Sequence, residues 1–93
     1  MTKTSTYAFT FTSYQLAVLA ALSAGAETSV EIMEAIEDTV DKFARSRCCT
    51  TLAALAENDV IDSSMIGETR FAAIRQGTLV AVTTALAAAG LAS

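Results

Sequence analysis

The stretch KFARSRCCTTLAALAENDVID, Lys42 to Asp62, puts three of the chain's six basic residues within six positions. Two adjacent cysteines follow, and then an apolar segment of helical spacing. Cys48, Leu52 and Leu55 stand at i, i+4 and i+7, the spacing of one buried stripe on a helix. The opposite arc carries Ser46, Arg47, Thr50 and Ala54, with Arg45 and Cys49 at its margins. The helix starts between Asp41 and Arg45 and ends near Asn58 and Asp59, two residue types that tolerate the left-handed conformation at a helix end. Val60 and Ile61 then open a strand. A helix that buries one stripe and shows arginine and small hydroxyls on the other is suited to a DNA major groove. There arginine can make two hydrogen bonds to guanine, and threonine can reach a base edge or a phosphate. The positive end of the helix dipole also favours phosphate.

Downstream of this helix, DSSMIGE reads as a turn-like loop around Gly67, and TRFAAI as the returning strand of a hairpin. Gly77 and Thr78 introduce a last helix from about Leu79 to Ala89. Upstream, Thr28 followed by Glu31 forms a capping box. It opens a second helix with Val30, Met33, Ile36 and Val40 at helical spacing and Glu31, Glu34, Glu37, Asp38 and Asp41 on its solvated face. Before it, Thr12 or Ser13 caps a first helix from Tyr14 to about Ala24, with Leu16, Leu19, Ala20 and Leu22 inward and Gly25 at its end. Tyr7, Phe9 and Phe11 alternate with small polar residues, the pattern of an extended arm or short strand. That arm lies either on its own domain or across a partner subunit. The order is helix, helix, helix, two-stranded hairpin, helix: a mainly α (α+β) chain.

Charge is uneven along this order. Residues 1–41 carry Lys3 against six acids, whereas residues 42–75 carry Lys42, Arg45, Arg47, Arg70 and Arg75 against four. The chain as a whole is at net −4, so the third helix and the hairpin are where an anion would be welcome. Ninety-three residues suffice for one domain with a marginal core. The apolar run Leu16 to Ala26 is about half of a membrane span. The threonines, glycines and alanines of the last segment make it a packing helix, so neither a membrane partner nor a signal peptide is expected. There is no histidine and no Cys-x-x-Cys, so zinc would lack its usual ligands and a serine or cysteine nucleophile its usual base. Neither an enzyme nor a cofactor or metal site is expected. Cys48 reads as core; Cys49 is more exposed in this register, with a thiol redox switch as its alternative role.

The order of elements, together with SRCCTTLAALAENDVID and TRFAAI, resembles the winged helix-turn-helix repressors of the PadR and MarR type. Leu52, Leu55, Val60 and Ile61 fall on the spacing of their recognition helix and following strand. Arg70-Phe71 resembles the Arg-Tyr that often begins the second strand of the wing, and Gly77 the glycine that opens the final helix. Four features depart from that pattern. Asp59 stands where glycine is common and Cys49 where tyrosine is frequent. The stretch from Ile74 to Gly77 is about one residue short, and the wing loop is poor in lysine and arginine.

The resemblance implies an arm over residues 1–13, a winged helix-turn-helix DNA-binding domain over 14–76 and a C-terminal dimerisation helix over 77–93. The expected function is that of a homodimeric, sequence-specific binder of double-stranded DNA, a cytoplasmic, nucleoid-associated repressor with its third helix in the major groove. Lys42, Arg45, Ser46, Arg47, Thr50, Thr51 and Arg70 are the candidate contacts; the alternative for Arg45 and Arg47 is a solvated face or ion pairs with the acids of the second helix, and for Arg70 or Arg75 a pair with Glu68. The last helix is apolar around nearly its whole circumference, which calls for burial against a partner subunit. The alternative is a winged-helix module turned to protein binding, an adaptor or DNA-mimicking antagonist, supported by the acidic second helix and the missing basic wing.

Overall fold

The computed structural model describes residues 10–39 and 42–91. Four α-helices, α1 (Ser13–Ser23), α2 (Ser29–Ala35), α3 (Ala44–Glu57) and α4 (Leu79–Ala88), surround one core, with a hairpin of β1 (Ile61–Ile66) and β2 (Thr69–Ile74) between α3 and α4. The expected arm falls outside the described residues for Tyr7 and Phe9; Phe11 is half-buried and packs against the core. Val40 and Asp41 also lie outside the described residues. No helix among the described residues is long and apolar enough to cross a membrane.

Local chemistry fixes the helix ends. Thr12 accepts from the Gln15 amide while the Gln15 side chain accepts from the Thr12 amide, a closed capping box at the start of α1. At its other end the Gly25 amide donates to Leu22 O and the Ala26 amide to Ala21 O. This Schellman pattern needs the positive φ of Gly25, 116°. Thr28 and Glu31 close a second box at α2. Asp59 ends α3 in the same manner as Gly25, at φ 61°, with its amide on Ala56 O and the Val60 amide on Leu55 O.

Val18, Leu19 and Leu22 of α1, Ile32 of α2, Cys48, Leu52 and Leu55 of α3, Val60, Ile61, Ala72, and Val82 and Leu86 of α4 make one core. Each fully buried leucine or isoleucine there stabilises the fold by about 1.5–3 kcal/mol. On α1 the inward set is Val18, Leu19, Ala21 and Leu22; Leu16 and Ala20 are half-buried. The face expected of α2 is rotated. Val30 is 56% exposed, whereas Ile32 is fully buried and Met33 and Ile36 sit at the margin. Ser29, a small residue, is buried on the same face as Ile32, three positions on, and its carbonyl accepts from Cys48 Sγ of α3 at 3.8 Å, so a small side chain there allows that face to meet α3.

The hairpin also corrects the sequence reading. Asp62 to Ile66 is strand and not loop, and β1 pairs with β2 antiparallel from Ile61↔Ile74 to Ile66↔Thr69. Only Gly67 and Glu68 turn the chain, with Gly67 at φ 64°, the Gly-first arrangement of a tight two-residue hairpin. A bridge from Thr28 to Phe71 and a hydrogen bond from the Ala72 amide to Glu27 O tie the other edge of β2 to the α1–α2 connection. A short 3-10 turn (Gln76–Thr78) leads into α4. There the Thr78 hydroxyl lies within hydrogen-bond distance of Val60 O and Arg75 O, 2.8 and 2.9 Å. α4 is not covered all round by the described residues. Val82 and Leu86 are buried, but Val80 is 80% exposed and Leu79 about half exposed.

Candidate nucleic-acid interface

α3 packs against α2, α1 and β1 through Ala44, Cys48, Leu52 and Leu55, the stripe that the i, i+4, i+7 spacing required. Rotation about the helix axis then leaves Arg45, Ser46, Arg47 and Thr50 exposed, with Cys49 and Thr51 half-buried at the two borders. Among the described residues no side chain caps the N-terminus of α3. Tyr14 of α1 and Phe43 just before α3 join this face. They border an open, largely apolar depression of about 400 Å³ with Ser46, Arg47, Thr50 and Thr51. Phe43 is 59% exposed. Neither aromatic figured among the sequence candidates: Tyr14 comes from a different helix, about which spacing within one segment is silent, and Phe43 precedes the first position of α3.

The candidate cations divide into two groups. Arg47 is gripped by Asp38, Nε donating to Oδ2 at 3.1 Å and Nη2 to Oδ1. Tyr14 Oη donates to the same Oδ2 at 2.8 Å. These bonds hold the Asp38 carboxyl below its ordinary range, the Arg47 hydrogen bond contributing most. Burial, then the hydrogen bond to Asp38, pushes the Tyr14 hydroxyl far up. Asp38 is not on a solvated helix face as the sequence suggested. α2 ends at Ala35, and Glu37 at φ 60° turns the chain so that Asp38 faces α1 and α3. Arg75 is likewise compensated, by Asp59 at 3.1 Å and Asp62 at 3.7 Å.

Lys42, Arg45 and Arg70 form the second group, with no carboxylate partner among the described residues. Lys42 Nζ lies 5.3 Å from the centroid of the Phe43 ring. Arg45 Nη2 donates to the Glu68 carbonyl at the tip of the wing, 3.1 Å away, so the first turn of α3 and the hairpin turn are joined. Arg70 lies on the α3-facing side of the hairpin, with Nη1 donating to Ser63 Oγ at 3.0 Å and Nε buried without a partner. It is half-buried and does not stand out from the wing as a free wing contact would. Met65 and Ile66, both exposed, occupy the tip of the wing instead.

Cys48 is fully buried, and burial pushes its thiol up to about 11, which keeps it protonated and unreactive at neutral pH. Among the described residues no group of three or more His, Cys, Asp or Glu is placed to hold a metal ion.

The chain matches no protein-family model, and no curated protein is similar to it in sequence. Among solved structures it is similar to ZitR of Lactococcus lactis, a zinc-responsive MarR family member. The TM-score is 0.67 at 20% sequence identity, over 85% of this chain and 54% of ZitR. The fold is thus a winged helix of the MarR kind. Nothing in the comparison points to the PadR branch of the resemblance. The chain spans about half the length of that neighbour.

Proposed function

We propose that the protein binds double-stranded DNA sequence-specifically, inserting α3 into the major groove, and acts as a homodimeric regulator. One observation carries this reading. Arg45 and Arg70 stand where the start of α3 meets the wing and Lys42 lies just ahead of that helix, and none of the three has a carboxylate partner among the described residues. A carbonyl or hydroxyl acceptor orients a guanidinium without neutralising it, so this junction keeps positive charge on an acidic molecule. Arg45, Ser46 and Thr50 supply the groups that read base edges, and the positive end of the α3 dipole suits a phosphate. Of the two arginines of α3, Arg45 is the leading contact, because Asp38 already compensates Arg47.

The exposed Leu79, Val80 and Leu91 around α4 support a second copy of the chain as the partner that covers this helix. Two copies would then present their α3 helices to half-sites about one helical turn, ~34 Å, apart.

Selection of bound sequences from a random duplex pool tests the proposal, with a salt series on the parent and Arg45→Ala. The expected outcome is a pseudo-palindrome, on which Arg45→Ala loses about 1–3 kcal/mol of affinity. Equal, weak binding of selected and random duplexes at low salt would sink it. A second reading, docking to a protein, draws on the apolar wing tip of Met65 and Ile66, where a groove-binding wing would carry cations. Preference of the parent for a selected duplex over a random one would favour DNA, and no duplex binding at low salt would favour the protein reading, whatever an added charge such as Ile66→Lys does to non-specific affinity.

A further inference from the structure

Arg47 leaves α3 on the face assigned to DNA, yet its guanidinium already grips a carboxylate at both oxygens. A carboxylate offers a guanidinium the same two-acceptor edge as two phosphate oxygens or the O6 and N7 of guanine. Three elements build this contact: α3 brings Arg47, the turn after α2 brings Asp38, and the first turn of α1 brings Tyr14, whose hydroxyl donates to Oδ2 at 2.8 Å. The Asp38 backbone is held as well, its amide donating to Met33 O at 2.9 Å. The two partners are unequal. The Asp38 side chain is 19% exposed and the Arg47 side chain 42%, so the arginine can swing out while the carboxylate stays on its tyrosine.

We propose that Asp38 is a resident competitor for the anion that Arg47 would take from DNA, held in place by Tyr14; this rests on the DNA-binding reading. A random phosphate merely replaces one anion by another at the guanidinium and gains little. A correct site adds the contacts of Arg45, Ser46 and Thr50, and these make the exchange favourable. Asp38 therefore weakens non-specific binding more than specific binding, which is discrimination by a repulsive element.

Asp38→Asn keeps the shape and an acceptor for Tyr14 but removes the charge, and a thermal melt checks that the variant is folded. On a random duplex it should bind roughly two- to fivefold tighter than the parent, the range that an exposed ion pair contributes. Its salt slope should steepen by about 0.9, one more phosphate neutralised. In an Arg47→Ala background the gain should vanish. Binding of random DNA by Asp38→Asn no tighter than by the parent would mean that Asp38 merely positions Arg47, and that overturns the proposal. A gain that persists without Arg47 overturns it too.

A second arm needs no DNA. The Arg47 Nε–Hε resonance is followed by NMR as inorganic phosphate is added, and it should respond at lower phosphate in Asp38→Asn than in the parent. An equal response overturns the competition. If no form binds any duplex, the DNA reading falls while this arm still decides whether Asp38 shields Arg47.

Discussion

Asp59 sits in the left-handed region at φ 61° to close α3, a place where a side chain costs about 1 kcal/mol relative to glycine. Its bond to Arg75 is exposed on both sides and contributes little. Asp59→Gly should therefore raise stability by about 0.5–1 kcal/mol, read as a higher denaturation midpoint at unchanged m-value. A lower midpoint would show that the Arg75 pair outweighs the strain. Tyr14 and Asp38 give the molecule two pH limbs of opposite sign. The folded Tyr14 hydroxyl titrates above its ordinary 10.0, so its contribution is complete below pH 10 and is lost as pH rises beyond it. The folded Asp38 carboxyl titrates below its ordinary 3.8, so its contribution is present above pH 3.8 and is lost as pH falls toward the depressed value. Tyr14→Phe should flatten the alkaline limb of a stability–pH curve, and Asp38→Asn the acid limb. Unchanged limbs would show that the pair does not couple to folding. Asp59 was legible as a helix end, since asparagine and aspartate tolerate that conformation. An ion pair between Arg47 and an acid of the second segment was an open alternative in the sequence, but which acid was not, because the seven-residue α2 ends before Asp38 and the following turn re-aims it.

At the level of elements, two Thr-led capping boxes set the entry angles of α1 and α2. Thr28 matters more than its length of helix suggests. Its box also fixes the segment whose Glu27 carbonyl accepts from the Ala72 amide and whose backbone bridges to Phe71. Thr28→Ala should cost about 1 kcal/mol, the ordinary worth of such a cap. Hydrogen exchange should show the added opening in α2 and at the Ala72 amide together; opening confined to α2 would show that cap and wing are independent. The Thr28 capping box, a cap at Thr12 or Ser13, the buried stripe of α3 and the presence of a hairpin, though not the extent of its first strand, were readable because each depends on residues within one turn or one strand pair of each other. The burial of α2 was not. Val30-Met33-Ile36 and Ser29-Ile32 are both helical spacings, and it is the second that faces α3, with the Ser29 carbonyl at Cys48.

For the whole molecule, α4 poses the remaining question, since Val82 and Leu86 are satisfied in one protomer and Val80 is not. If a second copy covers α4, Val80→Lys should yield a folded monomer by analytical ultracentrifugation while the parent sediments as a dimer. A monomeric parent would remove the homodimer from the proposal, and a dimeric Val80→Lys would move the interface elsewhere. DNA affinity should fall with the dimer, because two linked reading helices bind far more tightly than one.

The sequence by itself determined the order of elements, the helix caps, the Cys48-Leu52-Leu55 stripe and the concentration of cations at the start of α3. These follow from steric preference, periodicity and charge, which act over a few residues. Only the tertiary structure decided which cations keep their charge. Arg47 and Arg75 are met by acids from other segments, Asp38 and Asp59/Asp62, whereas Arg45 meets a neutral carbonyl at the wing tip. An ion pair depends on a few ångströms between residues that can be far apart in the chain, and that distance is set by how the helices pack.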